Sequence, residues 1–164
     1  MTIDYEIVRA GALDEAMAVM AHAFDPAFGE AWSASQCSGV LAMPGATLLI
    51  ARHDDAPIGF ALIRTIVGEA ELMLIAVLPA ARTNGVGRAL LEQAMVAAQR
   101  GGAKHAFLEV RADNQAIALY EQAGFRRVGM RANYYRGGDG QVRNALTFRR
   151  ALSSSIKDCD CHSS

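Results

Sequence analysis

The stretch from Leu72 to Leu90 reads LMLIAVLPAARTNGVGRAL, and its two ends follow different patterns. Glu71 to Val77 is nearly continuously apolar, as in a central strand covered on both faces. Pro79 stops it. From Gly87 to Arg100, the residues Leu90, Leu91, Ala94, Met95, Ala97 and Ala98 recur at helical spacing, and Gly101 and Gly102 end the run. Arg82, Thr83, Asn84, Gly85, Val86 and Gly87 lie between the two elements. The two glycines permit a tight turn and a close backbone approach to a ligand. The first turn of a helix then offers unpaired N–H groups and partial positive charge, which suits a pyrophosphate. Arg82 and Arg88 flank the loop with further charge. A simple glycine-rich turn into a helix fits the same residues. No Gly-Lys-Ser/Thr follows, so the loop is not of the Walker type, and it lacks the third glycine of a dinucleotide fingerprint.

Working outward, Tyr5 to Arg9 reads as a strand, and Ala12 to Phe24 and Ser33 to Leu41 as helices. Thr47 to Ala51 and Ile58 to Ile66 form a hairpin around Asp54, Asp55 and Pro57, and Gly68 turns the chain into the Glu71 strand. Beyond the central helix come a strand at Ala106 to Val110, a short helix at Asn114 to Gln122, and a closing hairpin of Arg126 to Tyr135 with Val142 to Arg149. This order predicts one α/β domain of the α+β kind over residues 1–152. Its central mixed sheet is mostly antiparallel and has helices on both faces. Ser153 onward, SSSIKDCDCHSS, is expected to be a disordered tail.

The 164 residues are 52% hydrophobic and 20% charged, enough to build a core, and the net charge of −1 gives no general drive toward nucleic acid or anionic membrane. No membrane span or signal peptide is read. Cys37, Cys159 and Cys161 make no disulfide framework, so a cytoplasmic location is expected. Cys159, Cys161 and His162 are a poor metal set without a second cluster, and no metal is expected.

Glu109 interrupts an apolar strand. Alternation puts Ala106, Leu108 and Val110 on one face and His105, Phe107, Glu109 and Arg111 on the other. Taken alone, that second face reads equally as a solvated one, or as one where Glu109 pairs with Arg111. Tyr120 reads as a core tyrosine on an amphipathic helix, and Asn114 as an N-cap.

Several motifs together point further. Arg82-x-x-Gly85-x-Gly87, after an apolar strand and before a helix, resembles the acyl-CoA-binding loop of the GNAT superfamily of N-acetyltransferases. IAV (75–77), FLEVRADN (107–114), AIALYEQAGF (116–125) and RANYY (131–135) are similar to the RimI type, which acetylates the N-terminal alanine of a small-subunit ribosomal protein. The resemblance spans Glu71 to Leu146. It implies acetyl-CoA as co-substrate, contacted by Ile75, Ala76, Val77, Arg82, Thr83, Asn84, Gly85, Val86, Gly87, Arg88 and Asn114. It implies Glu109 as proton acceptor and Tyr120 as proton donor to the departing sulfur. It also puts Tyr134 and Tyr135 in a peptide groove, where cross-strand aromatic packing is the plain alternative.

The chemistry agrees with those roles. An α-amine has an intrinsic pKa near ~8 and is partly neutral near neutral pH, so a modest base suffices. A phenol arrives carrying the proton that a thiolate needs. Three departures from the family pattern stand out. The loop usually begins with Gln and arginines, where this chain has Arg82, Thr83 and Asn84. The interval from Asn114 to Tyr120 is one residue short. Asn144-Ala145 replaces an Asp-Ala pair in the last strand. The expected function is acetyl transfer to the N-terminal α-amine of a protein, with a ribosomal protein's N-terminal alanine as the acceptor that the resemblance implies. A small amine or lysine acceptor, or a non-catalytic acyl-CoA-binding module, are the alternatives.

Overall fold

The computed structural model describes residues 4–8, 13–24 and 31–152. The tail from Ser153, with Cys159, Cys161 and His162, lies outside the described residues. In chain order the elements are β1 (Asp4–Val8), α1 (Leu13–Ala23), α2 (Ala34–Leu41), β2 (Ala46–His53), β3 (Ala56–Ile66) and β4 (Glu69–Val77). A 3₁₀ turn, Pro79–Asn84, leads into α3 (Val86–Arg100), followed by β5 (His105–Arg111), α4 (Ile117–Gln122), β6 (Arg126–Arg136) and β7 (Val142–Ala151).

The seven strands form one sheet in the order β1-β2-β3-β4-β5-β7-β6. Only β4 and β5 pair in parallel; the other neighbours are antiparallel. A parallel pair needs a crossover, and α3 supplies it. Two cores flank the sheet. Leu90, Leu91, Ala94 and Met95 of α3 pack with Leu72, Ala106 and Leu108 on one face. Ala16, Val19 and Met20 of α1 and Cys37 of α2 pack with Leu48, Ile50, Phe60, Leu62 and Leu74 on the other. The expected mixed sheet with helices on both faces is the observed one.

Local chemistry explains the element ends. Ser33 and Gln36 form a capping box: the Gln36 N–H donates to Ser33 Oγ at 3.2 Å, and the Ser33 N–H donates to Gln36 Oε1 at 2.7 Å. Asp54 and Asp55, at φ 49° and 62°, make the β2–β3 turn of the kind whose twist suits a hairpin. The last helix begins later than its sequence suggests. Asn114 Oδ1 accepts the Ala116 N–H at 2.8 Å, holding that segment as a turn until Ile117. No helix among the described residues is long and apolar enough to cross a membrane.

Candidate active site

The site arises from a phase change in β4. Leu62 of β3 pairs with Leu74, and the next residue, Ile63, pairs with Leu72, so Met73 is an extra residue bulged from the ladder. As a result Leu72 enters one core and Leu74 the opposite one. The bulge also ends the parallel ladder. β4 pairs with β5 only from Glu69–His105 to Leu72–Leu108. Beyond that point the strands part, and a cleft of about 340 Å³ fills the fork. Its walls are Leu72 to Ile75 of β4 and Leu108 to Val110 of β5. Asn114 and Tyr120 line it from the α4 side, Tyr134 and Tyr135 from β6, and Phe24 and Trp32 from the α1–α2 side.

Glu109 lies in this wall with 23% of its side chain exposed. Its partner is Arg131 of β6, whose Nε stands 3.3 Å from Oε2. Arg111 is buried and bonds Asp113 instead. Tyr120 is buried and meets Phe125 edge-on, with ring centroids 6.2 Å apart. The shortened interval after Asn114 therefore leaves Tyr120 in the same cleft as Glu109. Tyr134 and Tyr135, neighbours on β6, pack edge-to-face at 5.3 Å and both line the cleft; their ring contact lies within one strand rather than across two.

Glu71 is a second carboxylate lining the cleft that the sequence did not single out. It keeps part of its surface open. Even so, its carboxyl is held above the usual carboxylate range, chiefly by burial and then by Glu109, with Arg64 and Arg131 opposing. Its strand position carried no local signal, since only the register brings it into this wall.

Asn144, the site of the Asp-to-Asn departure, has a positioning role. Its Oδ1 accepts the Asn133 N–H at 3.0 Å. Asn133 has φ 54°, at an irregularity where β6 carries two residues more than β7 between Arg131 and Tyr135. An amide oxygen accepts that bond without bringing a charge, where a carboxylate would accept it more strongly. Arg143 ties the hairpin to the loop before α4. Its Nε is 3.1 Å from Asp113 Oδ2, and its NH2 nitrogen is 2.8 Å from Asp139 Oδ2. The hydrogen bond from Arg143 pulls the Asp139 carboxyl down to about 2.

The segment between β4 and α3 divides in its roles. Gly85 has φ 74° and opens α3 with no side-chain cap, leaving the first-turn amides of a 15-residue helix available. That donor set fits an anion such as a pyrophosphate. Arg82 acts within the fold: Nε donates to the Val77 carbonyl at 3.1 Å, and NH2 donates to the Ala23 carbonyl. Arg88 pairs with Glu92 at 3.5 Å. Ile75 lines the cleft, whereas Ala76 is buried in the core under α1 and Val77 packs against the core under α3. Of Thr83 only the backbone is described. Among the described residues no cluster of three or more His, Cys, Asp or Glu is arranged to hold a metal ion.

Comparison with known proteins agrees with this geometry. The profile of the Acetyltransferase (GNAT) family matches residues 14–125. The N-alpha-acetyltransferase RimI of Mycobacterium tuberculosis is 38% identical over 160 residues, covering 92% of this chain and 96% of that protein. The [Ribosomal protein bS18]-alanine N-acetyltransferase of Haemophilus influenzae is 40% identical over 89 residues, a match spanning 54% of this chain and 61% of that enzyme. The crystal structure of the ribosomal-protein-S18-alanine N-acetyltransferase from Escherichia coli superposes with a TM-score of 0.84 at 29% identity, covering 96% of this chain and 98% of that one. The forked β4–β5 pair, the glycine-opened α3 and these matches together show that the chain belongs to the GNAT family of acetyltransferases.

Proposed function

We propose that this protein transfers an acetyl group from acetyl-CoA to the N-terminal α-amine of a protein. The acceptor named for its relatives, the N-terminal alanine of ribosomal protein bS18, is the first candidate. The observation that carries this reading is the convergence of Glu109 and Tyr120 on one cleft that also opens to Tyr134 and Tyr135. Bound acetyl-CoA supplies an activated thioester. Uncapped amides at the start of α3 hold its pyrophosphate.

Glu109 takes the proton that the α-amine sheds as its nitrogen bonds to the acetyl carbon. The carbon–sulfur bond breaks, and Tyr120 donates its phenolic proton to the departing sulfur. Cys37 takes no part as a nucleophile. It is buried between α1 and the sheet, and burial pushes its thiol up, away from the reactive thiolate. In this reading transfer is direct: the amine attacks the thioester itself, without an acyl-enzyme.

The test is a transfer assay read by mass spectrometry. It uses acetyl-CoA with N-terminal Ala peptides, the same peptides with blocked N-termini, and internal-Lys peptides. A gain of acetyl mass on the free N-terminal peptides alone is the expected result. Acetylation of lysine or of small amines moves the acceptor class. Binding of acetyl-CoA without transfer to any acceptor overturns the catalytic reading.

A further inference from the structure

Strand β6 carries surplus residues where it reaches the cleft. Arg131 pairs with Ala145 and Tyr135 with Arg143, so Ala132, Asn133 and Tyr134 stand against the single residue Asn144. Tyr134 and Tyr135, at the end of this irregular stretch, are the β6 residues that line the cleft. A one-residue slip of a strand turns every side chain to the other face, and burial opposes it. A two-residue slip keeps the alternation in phase, so burial does not oppose it. The surplus could pass along β6 into the turn before β7, because lengthening a loop by two residues costs little. Tyr135 would then move along the strand by about 6.6–6.8 Å, two steps of about 3.3–3.4 Å. Side-chain period alone therefore does not hold these tyrosines at the cleft.

Asn144 supplies what the period lacks. Its amide is used at both ends: Oδ1 accepts the Asn133 N–H at 3.0 Å, and Nδ2 donates to Met130 Sδ at 3.7 Å. One side chain thus grips β6 before the irregular stretch and again inside it. Asn144 is itself fixed from the opposite side. The Ala112 N–H donates to its carbonyl at 2.9 Å, tying it to the end of β5, and its neighbour Arg143 bonds Asp113 and Asp139. Asn133 suits the clasp, because at φ 54° it occupies a region that Asn enters more readily than most side chains. The clasped stretch lies between two parts of the site: Arg131, which bonds Glu109, precedes it, and Tyr135 follows it.

We infer that Asn144 and Asn133 are positioning residues for the acceptor, their clasp holding β6 in the register that keeps Tyr134 and Tyr135 in the cleft wall. This role rests on the N-terminal acceptor reading above and deepens it. A molecule whose β6 has slipped still binds acetyl-CoA through the first turn of α3, which the clasp does not touch. It no longer offers the acceptor its tyrosines. Apparent acceptor affinity then falls in proportion to the fraction of molecules left in the competent register. The departure from Asp to Asn keeps the oxygen that Asn133 needs and adds a donor for Met130, which a carboxylate lacks.

The test compares Asn144→Ala, Asn144→Asp, Asn133→Gly and Asn133→Val with the unmodified protein, by steady-state transfer and by NMR-detected hydrogen exchange at residue 133. Asn144→Ala is expected to raise the acceptor KM about fivefold, the worth of one hydrogen bond. It should leave the KM for acetyl-CoA unchanged and speed exchange of the Asn133 amide. Asn144→Asp keeps the accepting oxygen and should restore both slow exchange and the acceptor KM. Asn133→Gly enters positive φ freely and should match the unmodified protein, whereas Asn133→Val resists it and should repeat the Asn144→Ala result. An equal rise in both KM values overturns the inference, since that is what a general loss of fold gives. So does slow exchange of the Asn133 amide that persists in Asn144→Ala. Should Asn144→Ala fail to fold, the contrast between the two Asn133 variants decides. Transfer to lysine or small amines alone defeats the N-terminal reading instead, and the same KM split, measured with the amine that is acetylated, still tests the clasp.

Discussion

Arg131 Nε stands 3.3 Å from Glu109 Oε2, joining β6 to β5 at the wall of the cleft. The same guanidinium lies 5.0 Å from the Tyr134 ring centroid, so one cation links the proposed base to the proposed peptide groove. Glu109→Gln keeps the shape and removes the proton acceptor. We expect kcat to fall by ~10²–10⁴-fold with acetyl-CoA affinity unchanged. An unaltered kcat across pH refutes the role of Glu109.

Tyr120→Phe isolates the proton donor. The ring contact with Phe125 and the burial survive, while the hydroxyl is lost. The expected outcome is an unchanged circular-dichroism spectrum with kcat reduced by about 10² or more. Full activity in this variant assigns leaving-group protonation to another group or to water.

Val67 offers a prediction about stability. It is β-branched, 95% exposed and held at φ 48° beside Gly68 at φ 80°. L residues other than Asn and Asp resist that region, which achiral glycine enters freely. Val67→Asn restores the Asn-Gly pair that such a hairpin turn favours. The expected gain is about 1 kcal/mol, or ~2–4 °C in Tm for a domain of this size. Differential scanning calorimetry checks it, and an unchanged or lower Tm contradicts it.

Glu71 couples the cleft to pH. Its folded carboxyl binds a proton more tightly than the unfolded one, whose pKa is near ~4.3. Stability therefore falls as pH rises from that value through the raised folded pKa, and the ionised form is a net cost at neutral pH. Glu71→Gln is expected to raise Tm at pH ~7, with the gain shrinking toward pH ~4. A gain that grows on acidification reverses the assignment.

Much of this architecture was legible along the chain. Helical spacing in α1 and α3, the apolar β2 and β3, and the turn at Asp54–Asp55 all rest on local periods that tertiary packing reinforced. Less was legible at the site. Glu109 and Tyr120 stood out only through motif resemblance, because a lone acid on a strand and a tyrosine on a helix have ordinary structural roles. Phe24, Trp32 and Glu71 reach the cleft from separate elements and carry no common motif. Arg82 showed its charge in the sequence but not its two carbonyl acceptors, which lie on α1 and β4.

By itself the sequence determined the order of strands and helices, the double-sided burial of β4 and the glycine turn into α3. Each is set by neighbours within a few residues: side-chain period, proline placement, and the freedom of Gly85 at positive φ. The tertiary structure alone decided where the site opens. The run LMLIAV shows no break at Met73, yet pairing with β3 forces one residue out of register there. That bulge sends Leu72 and Leu74 to opposite cores and releases β4 from β5. The resulting fork brings Glu71, Glu109, Tyr120 and Tyr134, from four elements, to one cleft. Register is a property of paired strands, and no single strand encodes it.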